Sequence, residues 1–213
     1  MGAYAWYSWL TGRSRAELHD RSLRRLHAAG PRRCFQEVTG RLHGRVLDIG
    51  CGTGILLRDY PAHLTVIAAD PDLDFLELAA ANGRESPADV HPLPADAQRL
   101  LFVDQSFDAV VVNLVLCTVP DPSTALREMC RVLKPGGLLY LYEHVVSRNR
   151  AYRAFQNLTA PLVWWLCDGC HWNRNLTTYL HDLPLTMERH DHLRLLAGPL
   201  PPLPITRVVA IRT

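Results

Sequence analysis

A chain of 213 residues, 48% hydrophobic and 21% charged, is long enough to bury one sizeable core and has the composition of a globular domain. Its formal net charge of +2, with both signs interspersed, gives no electrostatic drive toward nucleic acid. No apolar run approaches the ~18 residues of a membrane span, and no basic segment followed by an apolar one reads as a secretory leader, so a cytoplasmic protein with free thiols is expected.

In chain order, "YAWYSWL" near the N-terminus is too short to span a bilayer. It is suited to weak peripheral contact with a membrane, or to folding back through Tyr4, Trp6 and Tyr7. Residues 1–40 predict helices broken at Gly12 and at Gly30 with Pro31, and their arginines read as a solvated face. Four apolar runs follow: "RVLDIG" (45–50), "LTVIAAD" (64–70), "FDAVVVNLVL" (107–116) and "LLYLYEH" (138–144). Runs this continuous belong to strands covered on both faces, hence to a parallel sheet. Helical patterns at 55–60, 72–82 and 122–133 alternate with them, giving a doubly wound α/β sheet. After His144 the alternation fails. Residues 148–172 predict an irregular aromatic helix and 175–182 another. Strands at 185–190 and 206–212 close the chain, separated by the stiff "GPLPPLP".

The first strand ends in "LDIGCGTG". Gly50, Gly52 and Gly54 are spaced G-x-G-x-G, which lets backbone approach a nucleoside-type ligand at the C-terminal edge of the sheet. Asp48 precedes the loop, where a carboxylate suits an ammonium group or a held water better than a pyrophosphate. Asp70 ends the second strand and can accept from ribose hydroxyls. "PADAQ" places Asp96 and Ala97 in a loop before the fourth strand, with Asp96 able to accept from an exocyclic amine. That strand ends at Asn113, and the "LVL" beginning at Leu114 can pack on an aromatic base.

The set "VLDIGCGTG", "VIAADPD", "PADA", "FDAVVVNLVL" and "LREMCRVLKPGGLLYLYEH" resembles the class I S-adenosylmethionine-dependent methyltransferases over roughly 45–145. The resemblance implies an α/β, doubly wound, Rossmann-like, mostly parallel seven-stranded sheet, with N-terminal helices and a helical lid after strand five. It implies S-adenosylmethionine as cofactor, with "LKPGG" as the turn into strand five. The glycine loop (Gly50, Cys51, Gly52, Thr53, Gly54, with Asp48 before it) would hold the methionyl moiety. Asp70 with Pro71 would hold the ribose, and Asp96 with Ala97, backed by Asn113 and Leu114, the adenine. "GILLRDYP", "LVLCTVPDP", "REMCRVLKPGGLLYLYEHV" and the "DGC" at 168–170 look like the thiol S-methyltransferases of the methyltransferase-like 7 group, which implies a small thiol as acceptor. Members of that group carry a membrane anchor where "YAWYSWL" and the basic helix stand here. One domain is expected: a helical cap (1–40), a cofactor-binding half (41–145), a substrate lid (146–180) and final strands (181–213).

Methyl transfer from a sulfonium needs a nucleophile brought into line, and a thiol needs little help from a base because its pKa is ~8.5. The catalytic candidates are His144 at the end of strand five, as base or substrate contact, and Asp168 and Cys170 in the segment after it. His171 is a further base candidate there. Each has an ordinary alternative: a rim histidine satisfied by hydrogen bonds, a helix cap, an exposed loop. Glu143 should point away from His144 and be structural. Trp164, Trp165, Trp172, Phe155 and Tyr152 read as an apolar lid or as core. Cys167 and Cys170 have C-x-x-C spacing, but no second pair completes a zinc knuckle, and the context is wrong for a redox helix. No metal is expected, from this pair or from the other cysteines. Cys167 should pack against the core, and 168–170 should form a turn on the pocket wall. The other acceptors left open are oxygen, nitrogen or carbon of a natural product, quinone or lipid headgroup. A non-catalytic cofactor-binding module is the reading from a different class.

Overall fold

The computed structural model describes residues 14–196 and 201–213. Tyr4, Trp6, Tyr7, the expected break at Gly12 and part of the proline-rich connection lie outside them. Two helices open the described chain, α1 (Arg15–Ala29) and α2 (Pro31–Thr39). Pro31 starts α2 at the first turn, where no backbone N–H is needed. The sheet contains β1 (Arg45–Ile49), β2 (Thr65–Asp70), β3 (Asp89–Pro94), β4 (Phe107–Asn113), β5 (Leu133–His144), β6 (Leu185–Leu195) and β7 (Leu203–Arg212). Its order is β3-β2-β1-β4-β5-β7-β6. The first five strands run parallel, and β7 is antiparallel to both β5 and β6.

Successive residues of the central strands go to opposite faces, and both faces are covered. Val46, Val66, Ala68, Ala109 and Val111 pack with Phe35 and Val38 of α2 and Ala79 of α3 (Leu73–Gly83). Leu47, Ile49, Ile67, Val110 and Val112 pack with Leu126, Met129 and Val132 of α4 (Pro122–Val132). Each fully buried side chain of this kind contributes roughly 1.5–3 kcal/mol relative to exposure. That is why the strands read as unbroken apolar runs. Asp72 caps α3 by accepting from the N–H groups of Asp74 and Phe75, and Asp121 caps α4 through Ser123 and Thr124. In the parallel register Ile49 lies beside Val112 and Asn113 beside Tyr142, so the ends of β1, β2, β4 and β5 form one rim.

The structure corrects several sequence expectations. The helix expected at 55–60 is only a 3₁₀ turn, Leu57–Asp59, because Pro61 leaves no room for a longer helix. The helix expected at 175–182 is likewise a 3₁₀ turn, Leu176–Tyr179. Strand four stops at Asn113: Leu114 has φ 59°, so "LVL" turns off the sheet. Strand five starts early, because "LKPGG" bulges between the Phe107 to Leu133 and Ala109 to Leu138 pairings. Strand β3 escaped the apolar pattern altogether. It is a largely exposed edge strand carrying Pro92 and Pro94, which an edge tolerates. The aromatic helix is α5 (Arg150–Leu166), capped by Asn149 and burying only Gln156. Among the described residues no helix is long and apolar enough to cross a membrane.

Candidate active site

The glycine loop lies at the rim. Gly50, Gly52 and Gly54 have φ of 64°, 55° and 75°, left-handed conformations that side chains resist. The Gly50 and Cys51 N–H groups donate to the Ala69 carbonyl at 2.7 and 3.1 Å, fastening the loop to β2. A Cβ on Gly50 would lie 2.3 Å from a Val115 methyl, and one on Gly54 would strike Ala79. A Cβ on Gly52 would meet nothing within 4 Å, so this glycine faces open space. Asp70, buried at the end of β2, accepts the Gly52 N–H at 2.9 Å and the Asp72 N–H at 3.0 Å. Burial pushes its carboxyl up to about 6, against the opposing pull of the Gly52 N–H and the Arg15 guanidinium. Asp48 is buried beneath the loop and burial pushes it up to about 7, with the neighbouring Tyr60 hydroxyl pulling down and the Asp70 charge pushing up. Asn113 ends β4 with both polar atoms of its side chain buried and unpartnered. An opening at Gly52 and an unsatisfied amide at the end of β4 suit a polar ligand laid across the strand ends. Asp96 is exposed on its loop with Oδ1 taken by the Gln98 N–H at 2.9 Å, and Ala97 is buried behind it. Pro71 is exposed.

Helix α1 covers this end of the site. Thr53, within the loop, donates its hydroxyl to Asp20 of α1 at 2.9 Å. Arg15 stacks over the Phe75 ring at 5.0 Å, pairs with the capping carboxylate of Asp72, and pairs with Asp168 at 2.9 Å. One guanidinium thus joins the N-terminal helix, the segment after β2 and the turn after α5.

The rim of β4 and β5 carries a second cluster. Glu143, fully buried, accepts the N–H groups of Val115, Leu116 and Cys117 at 2.7, 2.9 and 3.3 Å. It is structural, as expected from strand alternation. Burial nonetheless pushes it up to about 7 against those three bonds. The turn it holds presents Cys117 to His144, with Cys117 Sγ 3.8 Å from His144 Nδ1. Cys170 Sγ lies 3.6 Å from the same nitrogen. The three ligand atoms all fall within 4.8 Å of one another. The Cys117 thiol, donating to Cys170, holds the Cys170 thiol well below its ordinary range; burial opposes this and His144 reinforces it. Cys117 is raised correspondingly. Burial is the strongest single influence on His144 and lowers it, but the bond to Cys170 together with the charges of Cys170 and Glu143 outweighs it and its pKa rises.

Of the catalytic candidates, the structure brings His144 and Cys170 together and sets Asp168 apart, on Arg15. Cys117 was missed because the strand was expected to run to 116, directly before it. It lies instead in the loop beyond Asn113, and its position four residues past a strand end at the rim was the available signal. The turn at 168–170 forms as expected, with Asp168 and Gly169 at φ 53° and 88° and the Gly169 N–H donating to the Trp164 carbonyl at 2.8 Å. Cys167 is exposed, not packed in the core, since α5 ends there and turns its last residues outward. The C-x-x-C spacing therefore does not bring the two thiols to one site. Trp172 is buried against Tyr152 and Phe155, at centroid distances of 6.3 and 5.9 Å, while Trp164 and Trp165 stay 51% and 43% exposed. Gln156 pins α5 in place: it accepts the Ser147 N–H at 2.7 Å and donates to the carbonyls of Val145 and Trp172.

Residues 47–141 match the family model described as a methyltransferase domain. The human (Homo sapiens) thiol S-methyltransferase TMT1A is 36% identical over 164 residues, covering 75% of this chain and 66% of the human protein. The demethylmenaquinone methyltransferase of Renibacterium salmoninarum is 40% identical over 114 residues, 53% of this chain and 46% of that protein. The chain thus spans between about half and two thirds of the length of these curated relatives. A crystal structure of a SAM-dependent methyltransferase from Methanosarcina mazei shares the fold, with a TM-score of 0.67 at 22% identity, covering 79% of this chain and 92% of that one.

Proposed function

Because this chain belongs to the S-adenosylmethionine-dependent methyltransferases, we propose that it transfers a methyl group to the sulfur of a small thiol. The cofactor supplies an already activated methyl on its sulfonium. In this reading Gly50, Cys51, Gly52, Thr53 and Gly54 hold the methionyl end above Asp48, and Asp70 with Pro71 takes the ribose. Asp96, Ala97, Asn113 and Leu114 take the adenine. The chain acts as one domain, with 1–40 as cap and 146–180, built around α5, as substrate lid. The thiol sulfur forms a bond to the methyl carbon as the bond from that carbon to the sulfonium breaks, the leaving pair going to the cofactor sulfur and the thiol proton to solvent. Alignment alone can lower such a barrier by roughly 7–11 kcal/mol.

The observation that carries the thiol reading is the state of the rim's possible bases. Asp168 is engaged by Arg15 and Glu143 by three backbone N–H groups. His144 has Nδ1 against two thiols and Nε2 buried without a partner, so one buried imidazole nitrogen is the base these residues offer a hydroxyl acceptor, whereas a thiol ionises unaided near pH 8.5. The similarity to a thiol S-methyltransferase supports the same acceptor. A second reading, transfer to a quinone or lipid, draws on the demethylmenaquinone methyltransferase relative and on the exposed apolar side chains Leu158, Leu162 and Trp164 of α5. A screen of small thiols, phenols, quinols and amines with methyl-labelled cofactor tests the choice. Label appearing in thiols is expected; label confined to quinols or phenols overturns the thiol reading.

A further inference from the structure

We propose that Cys117, His144 and Cys170 bind a zinc ion, with the fourth position left for the sulfur of the acceptor thiol. The fourth ligand rests on the thiol reading above; the three protein ligands do not. Zinc sites that perform chemistry use three protein ligands and keep one position open, and a two-cysteine, one-histidine set is among the known combinations. Sulfur at ~2.3 Å and nitrogen at ~2.0–2.1 Å from one tetrahedral ion lie about 3.5–3.6 Å apart, within a few tenths of an ångström of the arrangement here. The two sulfur-to-Nδ1 distances here are 3.8 and 3.6 Å. Thiolate ligands select zinc or copper(I) over magnesium or calcium.

The surroundings are those of a built site. The cluster is buried, with Cys117 2% and Cys170 5% exposed, and His144 keeps a partly open side. Its ligands are fixed through their backbones: the Cys117 N–H donates to Glu143, the Cys117 carbonyl accepts the His171 N–H at 2.7 Å, and the Cys170 N–H donates to Cys167 at 3.1 Å. Trp172 closes an apolar wall against the two cysteines. Support of this kind orients metal ligands and excludes water. The site shares the rim of β4 and β5 with Asn113. It also gathers the stretches "LVLCTVPDP", "YEHV" and "DGC", on which the resemblance to thiol methyltransferases rests.

The chemistry balances without a further reactant. The acceptor thiol binds zinc as thiolate and loses its proton to solvent. Its sulfur then forms the bond to the methyl carbon, while the sulfonium carbon-to-sulfur bond breaks toward the cofactor. The neutral thioether product is a weaker ligand and leaves.

The test is elemental analysis of the full chain purified without chelator, together with the visible spectrum of the cobalt(II)-reconstituted protein. About one zinc per chain is expected, kept in Cys167→Ser and lost in Cys117→Ser, Cys170→Ser and His144→Ala, with thiolate-to-cobalt absorption that shifts on adding dithiothreitol or another small thiol. If a variant fails to fold by circular dichroism, chelation of the wild type and restoration by zinc decide in its place. Wild-type protein that is metal-free, takes up no cobalt and still methylates thiols at full rate overturns the zinc site while leaving the thiol acceptor standing. Bound zinc with no spectral shift and no thiol product overturns the acceptor reading and the fourth ligand, and leaves the three-residue site standing.

Discussion

Asp70 gives the sharpest measurement on the cofactor side. Its two oxygens hold the N–H groups of Gly52 and Asp72, so it both shapes the glycine loop and sits where the ribose is proposed to bind. Charge-assisted bonds contribute roughly 1.5–3 kcal/mol each. Losing two to the ribose in Asp70→Ala should raise the cofactor Kd by about 10²-fold or more. Titration supplies a second signature. The free protein's carboxyl is raised to about 6, chiefly by burial, whereas ribose hydroxyls are donors and need the carboxylate. Binding should therefore strengthen as pH rises through about 6 and level off above. At pH 5 only about a tenth of the free protein carries the charge, an affinity about tenfold below the plateau. Without cofactor the sign reverses. The native state holds a proton that the unfolded chain has released between about pH 4 and 6, so Asp70 lowers stability by up to about 2–3 kcal/mol as pH rises through that window. Asp70→Asn should flatten both curves. Calorimetric titration with S-adenosylmethionine from pH 5 to 8, beside urea unfolding over the same range, measures both. Wild-type affinity with an unchanged pH slope in Asp70→Asn would refute the ribose assignment and move the titration to Asp48.

Gly50→Ala and Gly52→Ala should part company: the first drives a methyl into Val115 and should cost 2 kcal/mol or more of unfolding free energy, about the loss from overpacking. The second meets open space, and should cost only about 1–2 kcal/mol of backbone strain while weakening cofactor binding more steeply, as calorimetry will show. Gln156→Leu strands one N–H and two carbonyls that α5 depends on, and should lower stability by about 2–4 kcal/mol, read as a fall in Tm of about 5–15 °C. Arg15→Ala breaks two partly exposed ion pairs, so the stability loss should stay near 1 kcal/mol, while limited proteolysis of α1 accelerates. Cys167→Ser should keep methyl transfer within about twofold and remove one accessible site of labelling by a thiol reagent, a slow one because burial pushes the Cys167 thiol up to about 11.

Much of this molecule is written locally. Strands covered on both faces must be apolar at every position, so β1, β2, β4 and β5 are legible from their residues alone. The three glycines of the loop announce a backbone that no side chain could follow, and Asp70 and Asn113 stand at strand ends that a parallel sheet must bring to one rim. Strand β3 lacks that signature because an exposed edge imposes no apolar pattern, and its prolines argue against a strand until its position is known. The cysteine and histidine cluster belongs to the tertiary structure. His144 and Cys117 lie 27 residues apart, and Cys170 stands 26 from His144. They meet because β4 and β5 are hydrogen-bonded neighbours, because Glu143 folds the loop after β4 over the rim, and because Gln156 anchors the helix that returns the turn at 168–170 to it. The ion pair between Arg15 and Asp168 spans 153 residues in the same way. No periodicity or spacing encodes such meetings, because they depend on which strands are adjacent, and adjacency is set by burying the whole sheet at once.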